Sequence, residues 1–220
     1  MEPARESLVL ASSSPRRAAL LAELGLAFEV LACPLPEPAV RPPGVPPRAW
    51  AEALAYYKAR AVAERRPGRW VLGADTLVVC GGRLLGKPAD LDDARRMLEL
   101  QAGRPTQVIT GVGLVCCADG VRRLIGSEVT TVWMRDAPEE RERYLMSGDW
   151  WGKAGAYGIQ TVGDRLVERV AGSFSNVVGL PAELVQVMLR TVGLAVRPGP
   201  APAGALDAAA LQGQGDEGVR

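Results

Sequence analysis

Histidine is absent from all 220 residues. That excludes a Ser-His-Asp triad, a Cys-His pair, an imidazole metal ligand and imidazole acid–base chemistry. Any general base is then Asp, Glu, Lys, Tyr or a metal-bound water. Any metal rests on oxygen ligands or on the few cysteines. Cys33, Cys80, Cys116 and Cys117 form no CxxC pair, so free thiols in a reducing compartment are expected rather than a zinc centre. No apolar run approaches the roughly 20 residues of a membrane span. Glu2, Arg5 and Glu6 interrupt the start of the chain, so no signal peptide is read there and the expected location is the cytoplasm. Neither charge sign is in excess, with 26 Lys plus Arg against 25 Asp plus Glu. A partner that coats bulk nucleic acid or an anionic membrane is therefore not expected, although a local basic pocket is compatible with the balance.

The chain is long enough for one domain with a core that needs no disulfide. Leu8 to Ala11 reads as a short buried strand. Ser12-Ser13-Ser14-Pro15 follows, with Ser14 as expected N-cap and Pro15 at the first helical position, and Gly25 ends that helix. Phe28 to Cys33 reads as a second strand and residues 34–47 as a proline-rich surface loop. Trp50, Ala53, Leu54, Tyr57, Ala61 and Val62 recur at helical spacing. Trp70 to Cys80 reads as a central strand interrupted at Gly73-Ala74-Asp75, and Gly81-Gly82 as a hairpin turn. Asp90 or Asp92 opens a helix. Two long strands, Val108 to Cys117 and Val121 to Met134, follow. A helix from Pro138, a glycine-rich loop over 152–163, a strand from Leu166 to Val170 and a helix from Pro181 complete the pattern. The expectation is an α/β fold with a mixed twisted sheet flanked by helices, in one domain over 1–195. Residues 196–220 are rich in Pro, Ala, Gly and Gln and are expected to form a disordered tail.

Four segments carry possible chemistry. Ser12-Ser13-Ser14-Pro15-Arg16-Arg17 places two cations at a helix start, where they oppose the helix dipole unless an anion sits there. Asp75 lies in an apolar strand, where a carboxylate is costly unless it is paired or bound to a metal. Lys87 follows a hairpin strand, which alone also suits a surface lysine. In Lys153-Ala154-Gly155-Ala156-Tyr157-Gly158-Ile159-Gln160, small residues let backbone approach a flat ligand. The Gln160 amide complements a uracil or thymine ring, although a tight turn also needs those glycines. Lys58 stands in an apolar helical face and either snorkels to solvent or reaches a site. Glu37 is a loop carboxylate within the proline-rich stretch.

In this order, the segments resemble the Maf family of nucleoside triphosphate pyrophosphatases. The matching stretches include Leu10-Ala11-Ser12-x-Ser14-Pro15-Arg16-Arg17, Gly73-Ala74-Asp75-Thr76, Lys87-Pro88, Thr110-Gly111-Val112, the 153–160 loop and Asn176-Val177-Val178-Gly179-Leu180-Pro181. The resemblance covers roughly residues 7–193. It implies a fold related to inosine triphosphatases and often a homodimer. It also implies hydrolysis of a nucleoside triphosphate to the monophosphate and pyrophosphate with Mg²⁺ or Mn²⁺, which keeps non-standard nucleotides out of nucleic acid. By the same resemblance Asp75 is the proton acceptor, Ser12, Arg16, Lys58 and Lys87 serve the phosphates, and Glu37 lies near the metal, which Asp75 is also placed to hold. Arg17, Thr76 and Gln160 carry the residues of the branch that acts on dTTP and UTP. Pro36, Thr106 and Gly152 depart from the family pattern. A non-standard purine substrate, or a non-catalytic regulator of septum formation, are the alternatives.

Overall fold

The computed structural model describes residues 8–38, 40–159 and 165–194. The expected tail at 196–220 and Gln160 lie outside these residues. The strands are β1 (Leu8–Leu10), β2 (Phe28–Val30), β3 (Val71–Cys80), β4 (Arg83–Leu85), β5 (Pro105–Cys117), β6 (Val121–Met134) and β7 (Val167–Ala171). The α-helices are α1 (Pro15–Glu23), α2 (Pro47–Ala63), α3 (Leu91–Gln101), α4 (Pro138–Ser147), α5 (Phe174–Val178) and α6 (Ala182–Thr191). Among the described residues the strands form one sheet in the order β2-β1-β3-β5-β6-β7, with β4 paired to β3. β1 runs parallel to β2 and β3, and the other pairings are antiparallel. The sheet is mixed, as expected.

Alternation along β1 and β3 sorts side chains to the two faces of the sheet. Leu8, Leu10, Leu72, Ala74 and Val78 join one apolar cluster with α1, α3, α4 and α6. Val9, Ala11, Val71 and Val115 join a second, smaller cluster with Ala59, Val62 and Ala63 of α2. Helix α2 is seated by a stripe at Ala51, Ala55, Ala59 and Ala63, all buried and spaced by four. Of the expected set Trp50, Ala53, Leu54, Tyr57, Ala61 and Val62, the residues Leu54, Ala61 and Val62 are buried with this stripe, whereas Ala53 is exposed and Trp50 and Tyr57 are half-buried. The alanines win because the sheet beneath them is glycine. A Cβ on Gly113 would lie 3.0 Å from Tyr56 Cα, one on Gly73 would meet Ala59 N at 2.8 Å, and one on Gly111 would overlap the Ala51 carbonyl. Backbone therefore touches backbone, and α2 lies unusually close to β3 and β5.

Two strand expectations are corrected. β3 is not interrupted, since it pairs with β5 at every residue from Val71 to Cys80. What is interrupted is its other edge. β1 covers only Val71 and Leu72 there, and β4 covers only Val78 to Cys80. The segment Gly73–Leu77 is left between two neighbours, and that gap is the mouth of the site. The second strand stops at Val30, short of Cys33. Helix α5 was not foreseen, because its five residues are too few to show a period. Asp90, rather than Asp92, caps α3, accepting from the Asp93 N–H at 2.8 Å.

Candidate active site

Along Trp50, Leu54 and Lys58, one position around the helix from the alanine stripe, α2 faces a cavity of about 800 Å³. The open edge of β3 forms one wall and presents both Asp75 and Thr76. Arg16 and Arg17 enter from α1, Lys87 from the segment after β4, and Lys153 from the loop that follows α4. A second cavity of about 380 Å³ adds Ser12 and shares Arg16, Arg17, Glu37, Lys58 and Lys87 as walls. The fold thus gathers every described candidate, Ser12, Arg16, Arg17, Glu37, Lys58, Asp75, Thr76 and Lys87, around one cleft.

Asp75 is 5% exposed. Burial pushes its carboxyl up from the ordinary aspartate value, opposed by the Lys58 ammonium and by Arg17. Lys58 Nζ is hydrogen-bonded to Asp75 Oδ1 and lies 2.8 Å from Glu37 Oε2. Helix α2 also holds the Glu37 loop, since Tyr57 Oη donates to the Pro36 carbonyl at 3.0 Å. Pro36 thus meets α2 through its backbone carbonyl. The two carboxylates meet at the Lys58 ammonium, and as oxygen donors they are of the kind that suits Mg²⁺ or Mn²⁺. Among the described residues no three His, Cys, Asp or Glu side chains cluster to enclose a metal, so protein ligands alone would leave its shell incomplete.

Arg17 is pinned. Its Nε donates to Gly179 O at 2.9 Å, Nη2 to Thr76 Oγ1 at 3.0 Å, and Nη1 lies 3.5 Å from Ser12 Oγ. Desolvation lowers its pKa from the ordinary arginine value, partly offset by Asp75. Ser14 occupies the N-cap position of α1, yet its side chain makes no cap hydrogen bond. Ser12 Oγ instead accepts from the Ser14 N–H at 3.2 Å. The first-turn amides of α1 thus keep their capacity for an anion.

Lys153 was not singled out by the sequence, although its loop was. Partial burial lowers its pKa from the ordinary lysine value. The loop is held rigidly. Gly155, at φ +70°, donates to Gly86 O at 2.9 Å, and the fully buried Gln101 donates through Nε2 to Gly155 O at 2.7 Å. A Cβ on Gly155 would lie 2.8 Å from Val78 Cγ1. Because Gly86 precedes Lys87, the two lysines sit on one hydrogen-bonded unit. Arg16, Lys87 and Lys153 make no hydrogen bond or ion pair with any described residue. Three cations border one cleft without an ion-pair partner among the described residues, Asp149 acting on Lys153 only from a distance, and such a cluster favours a polyanion there.

Residues 7–192 match the Maf-like protein family. This chain belongs to the Maf family. A dTTP/UTP pyrophosphatase of Geobacter metallireducens is 46% identical over 193 residues, which is 87% of this chain and 98% of that protein. A dTTP/UTP pyrophosphatase of Anaeromyxobacter dehalogenans is 47% identical over 190 residues, 84% of this chain and 94% of that one. Among solved structures, a nucleoside-triphosphatase, dITP/XTP pyrophosphatase, from Mycobacterium abscessus matches 60% of this chain and 75% of that chain at 17% identity and a TM-score of 0.39. The departures in this Maf chain fall outside the Asp75–Lys58 contact. Thr106 is buried in β5, its hydroxyl without a partner among the described residues. Gly152 borders both cavities. Among the described residues no helix is long and apolar enough to cross a membrane.

Proposed function

We propose that this Maf chain hydrolyses dTTP and UTP to the monophosphate and pyrophosphate, and so limits misincorporation of non-standard nucleotides. One observation carries the reading: a buried carboxylate, Asp75, faces a cleft bordered by three cations that form no ion pair among the described residues. A triphosphate brings about four negative charges at neutral pH, and phosphoryl chemistry is mostly positioning and charge neutralisation. The names of relatives at 46–47% identity support the pyrimidine substrates over the purine alternative.

In the proposed step Asp75 takes a proton from water as its oxygen attacks the α-phosphorus. The bond from that phosphorus to the bridging oxygen breaks, and pyrophosphate leaves with the electron pair. Burial makes Asp75 a stronger base than an exposed aspartate. Lys58 holds it in place and favours its ionised form against the effect of burial. Arg16, Lys87 and Lys153 neutralise the phosphates, and Ser12 with the first turn of α1 offers further donors. Arg17 and Thr76, with Gln160, select the pyrimidine. Glu37 and Asp75 would hold a Mg²⁺ or Mn²⁺, which when bound supplies further neutralisation of phosphate oxygens.

The test is a nucleotide panel with each metal, with products resolved by chromatography. Monophosphate and pyrophosphate are expected from dTTP and UTP, with slower turnover of dITP. Absence of pyrophosphate from both pyrimidines with either metal overturns the reading. Two further outcomes are expected. Chelation of divalent ions abolishes turnover, and Glu37→Gln raises the metal concentration for half-maximal rate by about tenfold, the loss expected when one of two carboxylates goes; titration of the rate with Mg²⁺ measures it. The acid limb of kcat/KM lies above the ordinary aspartate value of 3.8, because the base must lose a proton that burial helps it keep; a rate profile from pH 4 upward checks it.

A further inference from the structure

We propose that Thr110, which does not line the cleft, is a positioning residue that orients Arg17 through a one-way chain of hydroxyl hydrogen bonds. The inference takes its ligand, a pyrimidine nucleotide, from the function proposed above, but its geometry stands apart from the catalytic step.

β3 and β5 pair so that Thr76 lies directly opposite Thr110. Paired residues share a face of the sheet, and threonines so placed can hydrogen-bond across the strands. Their hydroxyl oxygens are 3.0 Å apart. Each hydroxyl has one proton to give. Thr110 is fully buried and gives its proton to Asn176 O at 3.2 Å. Thr76 must then be the donor between the two hydroxyls, which leaves its lone pairs for Arg17 Nη2. The chain runs Arg17 N–H to Thr76 Oγ1, Thr76 O–H to Thr110 Oγ1, and Thr110 O–H to Asn176 O.

The far end is fixed. Asn176 is fully buried, and its amide nitrogen donates to Val108 O at 3.0 Å and Thr130 Oγ1 at 2.9 Å. From the same segment Gly179 O accepts from Arg17 Nε at 2.9 Å. Arg17 is therefore held from two sides by one stretch of chain, directly at Gly179 and through two threonines from Asn176. Without the Thr110 hydroxyl, the Thr76 proton turns to Gly179 O, 3.5 Å away. It then competes for the carbonyl that Arg17 uses, and the guanidinium loses its fixed aim.

The test compares Thr110→Val, which has nearly the same shape without the hydroxyl, with Thr110→Ser, which keeps it. Binding of α,β-imido-dUTP, which cannot be cleaved at that bond, is measured by calorimetry, and kcat and KM are measured with dTTP. Thr110→Val is expected to weaken binding and raise KM by about tenfold, the scale of one lost directional hydrogen bond, with kcat within about threefold of the parent. Thr110→Ser restores both. In an Arg17→Ala background, Thr110→Val has no further effect on binding. Parental behaviour of Thr110→Val, failure of the serine to rescue, or an equal loss in both backgrounds overturns the proposal. The last outcome also covers a variant that merely folds poorly, since poor folding lowers binding whether or not Arg17 is present. A parent chain that binds the analogue but releases no pyrophosphate from dTTP sinks the pyrophosphatase reading alone, and the binding cycle still judges Thr110.

Discussion

Asp75→Asn is expected to lower kcat for dTTP by about 10³-fold, the scale of a lost general base. Pyrophosphate release measures it. The same variant is expected to melt at or above the parent temperature. Burial is the largest influence on Asp75, and it disfavours the ionised form. The sign follows from proton counts. The unfolded group loses its proton near the ordinary value of 3.8, whereas the folded group holds it to higher pH. Between those two points the folded state carries the extra proton, so stability falls as pH rises. Above the folded pKa the ionised carboxylate costs stability, and asparagine removes that cost. Lys58 keeps Glu37 as a partner at 2.8 Å, so the ammonium is not stranded. The stability gained by Asp75→Asn is therefore largest at neutral pH and disappears as pH falls below both values. Calorimetric melts of the two proteins at pH 3 and pH 7 check it. A large drop in melting temperature at neutral pH would mean that Asp75 is chiefly a structural ion-pair partner.

Gly111→Ala is expected to cost about 3 kcal/mol, the upper part of the range for overpacking a tight interior, and about 10 °C in melting temperature. The added methyl would overlap the Ala51 carbonyl of α2. That atom is backbone, so the helix itself must move. Lys58 rides on the same helix and pairs with Asp75 across the interface, so activity falls with stability. Gly126→Ala is the control. Its methyl meets Met188 Cε at 3.0 Å, the end of a flexible side chain that can turn aside, and the expected cost is below about 1 kcal/mol. Equal losses in the two variants would show that the close seat of α2 is not special.

Much of the site was legible in the sequence because its chemistry sits on local features. A carboxylate in an apolar strand and two arginines at a helix start each violate a local rule unless a ligand or partner resolves the conflict. Strand and helix order followed from period and punctuation. Lys153 was hidden because a lysine beside glycines looks like any surface lysine; only the Gly155 N–H donated to Gly86 O, in a loop that Gln101 also holds through Gly155 O, ties it to Lys87.

The sequence by itself determined the candidate base and most of the cations, since each stands out against its neighbours in the chain, and the order of strands and helices that a mixed sheet requires, since each element has its own period and punctuation. The tertiary structure alone decided three matters. It left β3 whole and opened its edge between β1 and β4, because pairing partners come from distant segments and their lengths set where the gap falls. It chose the alanine face of α2, because glycines on two other strands allow backbone contact there. It set Thr76 opposite Thr110, because strand register follows from which faces are buried, and a slip of one residue would send the two hydroxyls to opposite sides of the sheet.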